Sequence, residues 1–229
     1  VISVVGLPRT LAVRTERVAT RGRAAARLLY ASDLHLGWPW TRSVPELLLN
    51  AVERLRPDAL LLGGDLCDGL ASVSDLADLV RRAAESTVVA AVPGNHDART
   101  GARAIRDAVR AAGGAWLPDA PWSAGGVRVE GWARTGPSDA VRVLCAHAPS
   151  VTPAARATGF DVVLAGHLHG GQLVLFESGG RLYPYAWIDR WNGLRFDLPG
   201  TTLVVSRGVA DALPLRVRCP REVVLCELY

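Results

Sequence analysis

A chain of 229 residues, 49% hydrophobic and 21% charged, can bury a sizeable core and reads as globular. Its formal charge of +4 is carried by arginine without a single lysine, and no dense basic run with interleaved aromatics occurs, so a nucleic-acid partner is not expected. No apolar run reaches the ~18 residues of a spanning helix, and four cysteines without a Cys-x-x-Cys pair argue against a disulfide scaffold or zinc knuckle.

The chain opens on alternating residues 11–18, a strand pattern, followed by an arginine-rich turn. Residues 27–32 form a buried strand that runs into Asp33-Leu34-His35. Pro45 to Arg56 reads as a helix capped by Ser43 and stopped by Pro57. The apolar strand Asp58 to Leu62 ends on Gly63-Gly64-Asp65-Leu66-Cys67-Asp68, and a helix from Ser72 to Glu85, capped by Ser72 or Ser74, follows. Thr87 to Val92 is a strand ending on Pro93-Gly94-Asn95-His96-Asp97, and Ala102 to Ala112 is helical. Strand, polar cluster and helix thus repeat three times, which predicts a parallel sheet with ligand-collecting loops at its carboxyl edge.

The second half reads as more β-rich. Val127 to Trp132 and Val141 to Cys145 are strands, the latter ending on His147. Thr152 to Thr158 is a short helix, and Asp161 to Ala165 a strand ending on Gly166-His167-Leu168-His169. Gln172 to Phe176, Thr201 to Ser206 and Glu222 to Leu228 are expected to complete a second sheet. Residues 177–200 are the least regular. The fold class is therefore α/β, with two sheets face to face and helices outside, in a single domain spanning 1–229.

All five histidines, His35, His96, His147, His167 and His169, fall in short Asp/His/Asn/Gly clusters just after apolar runs. Histidines that merely filled surface or core positions would scatter. Carboxylates, imidazoles and one amide, without thiolates, form a ligand set suited to manganese, iron, zinc, cobalt or nickel. Asp65, between glycines and a strand end, is the best candidate to bridge two ions about 3.5–4 Å apart. His96 beside Asp97 is the candidate proton donor, since a carboxylate orients an imidazole and favours its charged form. Cys67 and Cys145, next to these clusters, read as small buried apolar residues.

Asp33-x-His35, Gly64-Asp65-x-x-Asp68, Gly94-Asn95-His96-Asp97, His147 and Gly166-His167-x-His169 together resemble the ordered motifs of the calcineurin-like metallophosphoesterase superfamily. The resemblance implies a four-layer αββα sandwich of two mixed sheets flanked by helices, with a two-metal site. It implies one metal on Asp33, His35, Asp65 and His169, and the other on Asp65, Asn95, His147 and His167. In that scheme a metal-bridging hydroxide attacks phosphorus in line, His96 assists the leaving group, and Asp68 and Asp97 support the ligands from behind. Gly170-Gly171-Gln172 and the tail from Ser206-Arg207-Gly208 through Leu213-Pro214-Leu215-Arg216 to Cys219-Pro220 are similar to bacterial phosphodiesterases of the YaeI/YkuE type. Asp68-Gly69 lacks the intervening arginine of protein serine/threonine phosphatases, which disfavours that branch.

The implied substrate is a small phosphate ester, as a diester or pyrophosphate. A cyclic-nucleotide or glycerophosphodiester phosphodiesterase, a phosphomonoesterase and a non-catalytic scaffold are the alternatives. Trp38, Trp40 and the aromatic residues of 183–196 either pack their loops or grip a lipid- or sugar-linked substrate or a membrane surface. Arg207 and Arg216 are candidate phosphate contacts or salt-bridge partners. A cytoplasmic place, or one peripheral to the inner membrane, is expected. The chain lacks methionine even at position 1, so a trimmed start and an upstream anchor stay open.

Overall fold

The computed structural model describes residues 2–3, 10–20, 25–132, 138–211 and 215–229. The core of the arginine-rich turn (21–24) and Leu213-Pro214 of the tail motif lie outside them. The chain begins with β1 (Ile2–Ser3), β2 (Ala12–Val18) and β3 (Ala26–Ala31). It then alternates through α1 (Val44–Leu55), β4 (Ala59–Gly63), α2 (Val73–Ala84) and β5 (Val88–Val92). The helices α3 (Asn95–Thr100) and α4 (Ala102–Ala111) lead to β6 (Ala115–Trp116). The second half runs β7 (Trp122–Ala124), β8 (Val127–Glu130), β9 (Val141–Cys145), α5 (Thr152–Ala157) and β10 (Val162–Ala165). It closes with β11 (Val174–Ser178), β12 (Arg181–Pro184), β13 (Arg195–Leu198), β14 (Thr201–Val205), β15 (Arg216–Val217) and β16 (Glu222–Leu228).

Local sequence explains the long helices. In α1, Val44, Leu48, Ala51 and Val52 recur at helical spacing and are buried, and the helix ends at Arg56 in a left-handed conformation, just before Pro57. Ser72 precedes α2, but its hydroxyl donates to the carbonyls of Leu36 and Gly69 at 2.8 Å instead of capping the helix.

One six-stranded sheet has the order β2-β16-β3-β4-β5-β6, and the other β13-β14-β10-β9-β8-β7. Strand alternation assigns the layers. In β3, Leu29 and Ala31 face the helices α1, α2 and α4, whereas Leu28 and Tyr30 face the second sheet. In β10, Val162 and Leu164 meet the first sheet, whereas Val163 and Ala165 face outward under Ala155 of α5, Phe160, Trp191 and Phe196. The result is a mixed α/β sandwich of two sheets, thickly covered on one side and covered on the other by one short helix and an aromatic loop.

Three expectations need correction. Glu222–Leu228 does not complete the second sheet; β16 lies inside the first, parallel to β2 and antiparallel to β3. The strand expected at Gln172 to Phe176 is displaced to Val174–Ser178 and pairs with β12 in a separate two-stranded hairpin. Residues 177–200 are more regular than expected, holding β12, a short 3-10 turn at Tyr185–Trp187 and β13. Apolar periodicity reports that a strand exists but not which distant strand it pairs with.

Candidate metal centre

Each candidate cluster follows the carboxyl end of a strand: Asp33 and His35 follow β3, Asp65 follows β4, and Asn95 and His96 follow β5. His147 follows β9, and His167 and His169 follow β10. The first three strands belong to one sheet and the last two to the other, so the clusters meet along the seam between sheets.

The backbone there is bent against its preference. Among the described residues, Asp33, His35, Asp65, His167 and His169 all have positive φ, between 46° and 72°. Such conformations cost about 1–3 kcal/mol each and gather where function demands a particular side-chain direction. The loops also approach closely. A Cβ on Gly94 would lie 2.1 Å from Asp65 Oδ1 and 2.2 Å from its backbone nitrogen, and one on Gly166 would lie 2.1 Å from Ser32 Oγ.

Ligand-type atoms converge in three groups that share members: Asp33, His35 and His169; His35, Asp65 and His96; Asp65, His147 and His167. Within each group they lie within 4.8 Å of one another. Every sequence-expected side chain except Asp97 takes part in these groups or, as Asn95 does, touches one. His147 donates from Nδ1 to the carbonyl of Gly63 at 2.9 Å, which leaves Nε2 as a lone pair in the neutral ring. That atom faces His167 Nδ1 at 3.0 Å, Asn95 Oδ1 at 3.0 Å and Asp65 Oδ2 at 3.3 Å. His35 turns Nδ1 to Asp68 at 3.0 Å and presents Nε2 to His169 Nε2 at 3.3 Å. The other ring nitrogen of His169 lies 3.2 Å from the carbonyl of Ala210. With neutral rings, acceptors thus point at acceptors, an arrangement that a cation or an added proton relieves. Carboxylate, imidazole and amide donors of this kind fit a borderline divalent metal.

The buried carboxylates favour positive charge at this place, whether a proton or a metal ion. Burial disfavours charge on Asp33, yet His169, His147 and His35 together hold its carboxyl below the usual range. Asp65 is lowered as well, its burial outweighed chiefly by His147. His147 is pushed up to about 9, again against burial, by Asp65 and Asp33. His169 is lowered to about 4 by burial, with Arg216 adding to the effect, so it is neutral at pH 7.

The carboxylate beside His96 is not its chain neighbour. Asp97 is fully buried, and its two oxygens accept backbone N–H bonds from Leu66 at 2.8 Å, Cys67 at 3.1 Å and Gly94 at 2.8 Å. Burial raises its carboxyl to about 6 despite those bonds. His96 Nδ1 instead faces Asp68 Oδ1 at 2.5 Å. Asp68 touches His35 as well and accepts from the Trp38 indole N–H at 2.5 Å. Its carboxyl is lowered to about 2, burial being outweighed mainly by His35.

Arg207 and Arg216 are both committed to carboxylates: Arg207 pairs with Glu222 and Arg216 with Asp211. Trp38 and Trp40 stack at 4.9 Å on the rim, and the expected aromatic loop divides. Tyr183 and Trp187 cluster with Phe176 on the exposed hairpin, while Trp191 and Phe196 cover the second sheet. Chain order gave no signal for Trp38 meeting Asp68 or for Gly63 orienting His147.

The family model for calcineurin-like phosphoesterases matches residues 26–171, the stretch that carries every cluster described above. The chain belongs to the calcineurin-like phosphoesterase family. As a member it is a metal-dependent phosphoester hydrolase. This phosphoesterase is 28% identical over 229 residues to phosphodiesterase YaeI of Escherichia coli, covering 90% of this chain and 83% of that protein. It is 29% identical over 226 residues to an uncharacterized metallophosphoesterase of Aquifex aeolicus, covering 87% of this chain and 83% of the relative. Two solved structures share the fold. A dimetal phosphatase from Danio rerio superposes with a TM-score of 0.53 at 13% identity, over 83% of this chain and 90% of that one. The protein TT1561 of Thermus thermophilus gives 0.52 at 14% identity, over 79% and 88%. Among the described residues of the phosphoesterase, no helix is long and apolar enough to cross a membrane.

Proposed function

We propose that residues 1–229 act as one domain, a dinuclear metal-dependent phosphodiesterase or pyrophosphatase. Asp33, His35, Asp65 and His169 hold one cation, and Asp65, Asn95, His147 and His167 hold the other. The observation that carries this reading is the crowding of ligand-type atoms around His147 Nε2, with Asp65 Oδ2 3.3 Å from that atom and 3.9 Å from His35 Nε2. Bound there, two cations of the manganese, iron, zinc, cobalt or nickel class lower the pKa of a water nucleophile and draw charge from the phosphoryl oxygens.

The chain's own groups do the rest. Asp65 is held by the backbone N–H of His96 on Oδ1, at 2.8 Å, which turns Oδ2 into the centre. Asp33 accepts from Ser32 Oγ at 2.6 Å and from the backbone N–H of His167 at 3.2 Å, which fixes its carboxylate. His96 keeps Nδ1 on Asp68 and faces the centre with Nε2, 3.9 Å from Asp65 Oδ2. From there it passes a proton to the leaving oxygen, and Asp68 orients the ring. The preference for diesters is supported by the similarity to a phosphodiesterase over nearly the whole chain.

The deciding experiment compares a chromogenic phosphodiester with its monoester, metal by metal, for wild type and His96→Ala. Diester cleavage that requires a transition metal is expected. The substitution should lower kcat by about 10²–10⁴-fold while two metals per chain remain bound. A chain that binds no metal would sink the reading, and a preference for the monoester would reverse the substrate class.

A further inference from the structure

Beside the metal centre lies a cavity of 380 Å³ whose chemistry differs from everything around it. It opens at the carboxyl ends of β5 and β9 and under α5. Val92, Pro93, Trp132, Leu144 and Val151 form much of its wall, and His147 forms the edge toward the centre. Among the described residues no carboxylate, guanidinium or amide side chain lines it. Both ring nitrogens of His147 are already committed, Nδ1 to Gly63 and Nε2 to the ligand cluster. Among the described lining residues, the Trp132 indole is the one further polar side-chain group, and that residue is 53% exposed.

We infer that this cavity is the subsite for one ester arm of the substrate, and that the arm is an apolar alkyl or acyl chain. The inference rests on the proposed phosphodiester hydrolysis and narrows its substrate class. A phosphorus seated at the centre lies one imidazole away from the cavity, because His147 belongs to both. An arm leaving the phosphorus on that side meets apolar walls. A sugar or nucleobase there would strand its hydrogen-bonding groups against Val, Leu and Pro side chains, which costs affinity. A chain of methylenes loses nothing and gains by leaving water. Trp132, half exposed, forms a broad face along which such a chain can lie.

The test uses two series on the metal-loaded protein, below micelle-forming concentrations. Binding of n-alkyl phosphonates from methyl to octyl is followed by calorimetry, and turnover of n-alkyl p-nitrophenyl phosphodiesters is followed by absorbance. Affinity and kcat/KM should climb by roughly three- to fourfold per methylene and then level off when the cavity is full. Ala154→Trp, at an exposed position of α5 on the cavity wall, should flatten both slopes, and Trp132→Ala should make them shallower. A wild-type response independent of chain length overturns the inference, as does an Ala154→Trp slope equal to that of wild type. Affinity that climbs with chain length while no ester is turned over would tell against the hydrolase reading and leave the subsite standing. Turnover with no chain-length dependence would do the reverse.

Discussion

Asp68 joins two parts of the centre through single atoms: one oxygen faces His96, and the other faces His35 and accepts from Trp38. Asp68→Asn keeps the shape but removes the charge. It should lower kcat by about 10–100-fold and weaken metal binding, because groups that orient ligands matter nearly as much as the ligands. Kinetics alongside metal content checks this, and wild-type values for both would disprove it. The sequence made Asp97 the obvious partner of His96, being its neighbour, but consecutive side chains at the start of a helix point in different directions. Asp97 turns into the protein to tie down the Asp65 loop, and Asp68 arrives from another strand end. Cys67 makes a separate point. Burial pushes its thiol up to about 12, so it should resist iodoacetamide at pH 8 in the folded protein; rapid labelling seen by mass spectrometry would contradict that.

At the scale of elements, the centre depends on loops from two sheets keeping a fixed distance. Tyr30 spans that gap: it is fully buried in β3 and donates its hydroxyl to the carbonyl of Ala146 at 2.7 Å, one residue before His147. Tyr30→Phe leaves that carbonyl without its partner and should cost about 1–3 kcal/mol, read from denaturant unfolding. Gly94→Ala should do more local damage. Its new Cβ would press on the backbone nitrogen of Asp65 as well as on its carboxylate, and backbone cannot swing aside. Loss of bound metal with a lowered Tm is expected, and a variant with full metal content would show that the loop gives way. These strand ends were legible from apolar runs meeting polar clusters. The two-sheet spacing was not, because it depends on contacts such as Tyr30 to Ala146 that are distant in sequence.

For the molecule as a whole, Glu222 fastens the first sheet to the edge of the metal centre. It is fully buried at the start of β16, accepts from Arg14 of β2 at 3.0 Å, and pairs with Arg207, which follows β14 of the second sheet. Burial works against its charge, but Arg14 and Arg207 outweigh this and hold the carboxyl below its ordinary value. A carboxyl lowered by folding stabilises the protein fully above the unfolded value, about 4.3, and that contribution fades as pH falls through the lower folded value. Wild type should therefore lose stability on acidification below about pH 5. Glu222→Gln leaves two guanidiniums facing a neutral group, should be less stable by about 3–5 kcal/mol at pH 7, and should show a flatter acid limb. Thermal melts across pH 3–7 would reveal it, and parallel curves for both proteins would rule out this role.

The sequence by itself determined the chemistry. Every histidine sits in a polar cluster after an apolar run, and that placement specifies the strand ends, the candidate ligands and the family. Local patterns carry this information because strand period, helix period and turn residues are properties of neighbours in the chain. Tertiary structure decided what depends on distant neighbours. It put β16 between β2 and β3, withdrew Arg207 and Arg216 into ion pairs, gave His96 to Asp68, and opened an apolar cavity beside His147. Pairing between strands and charges far apart in the chain is selected by the packing of the whole core, and no window of sequence contains it.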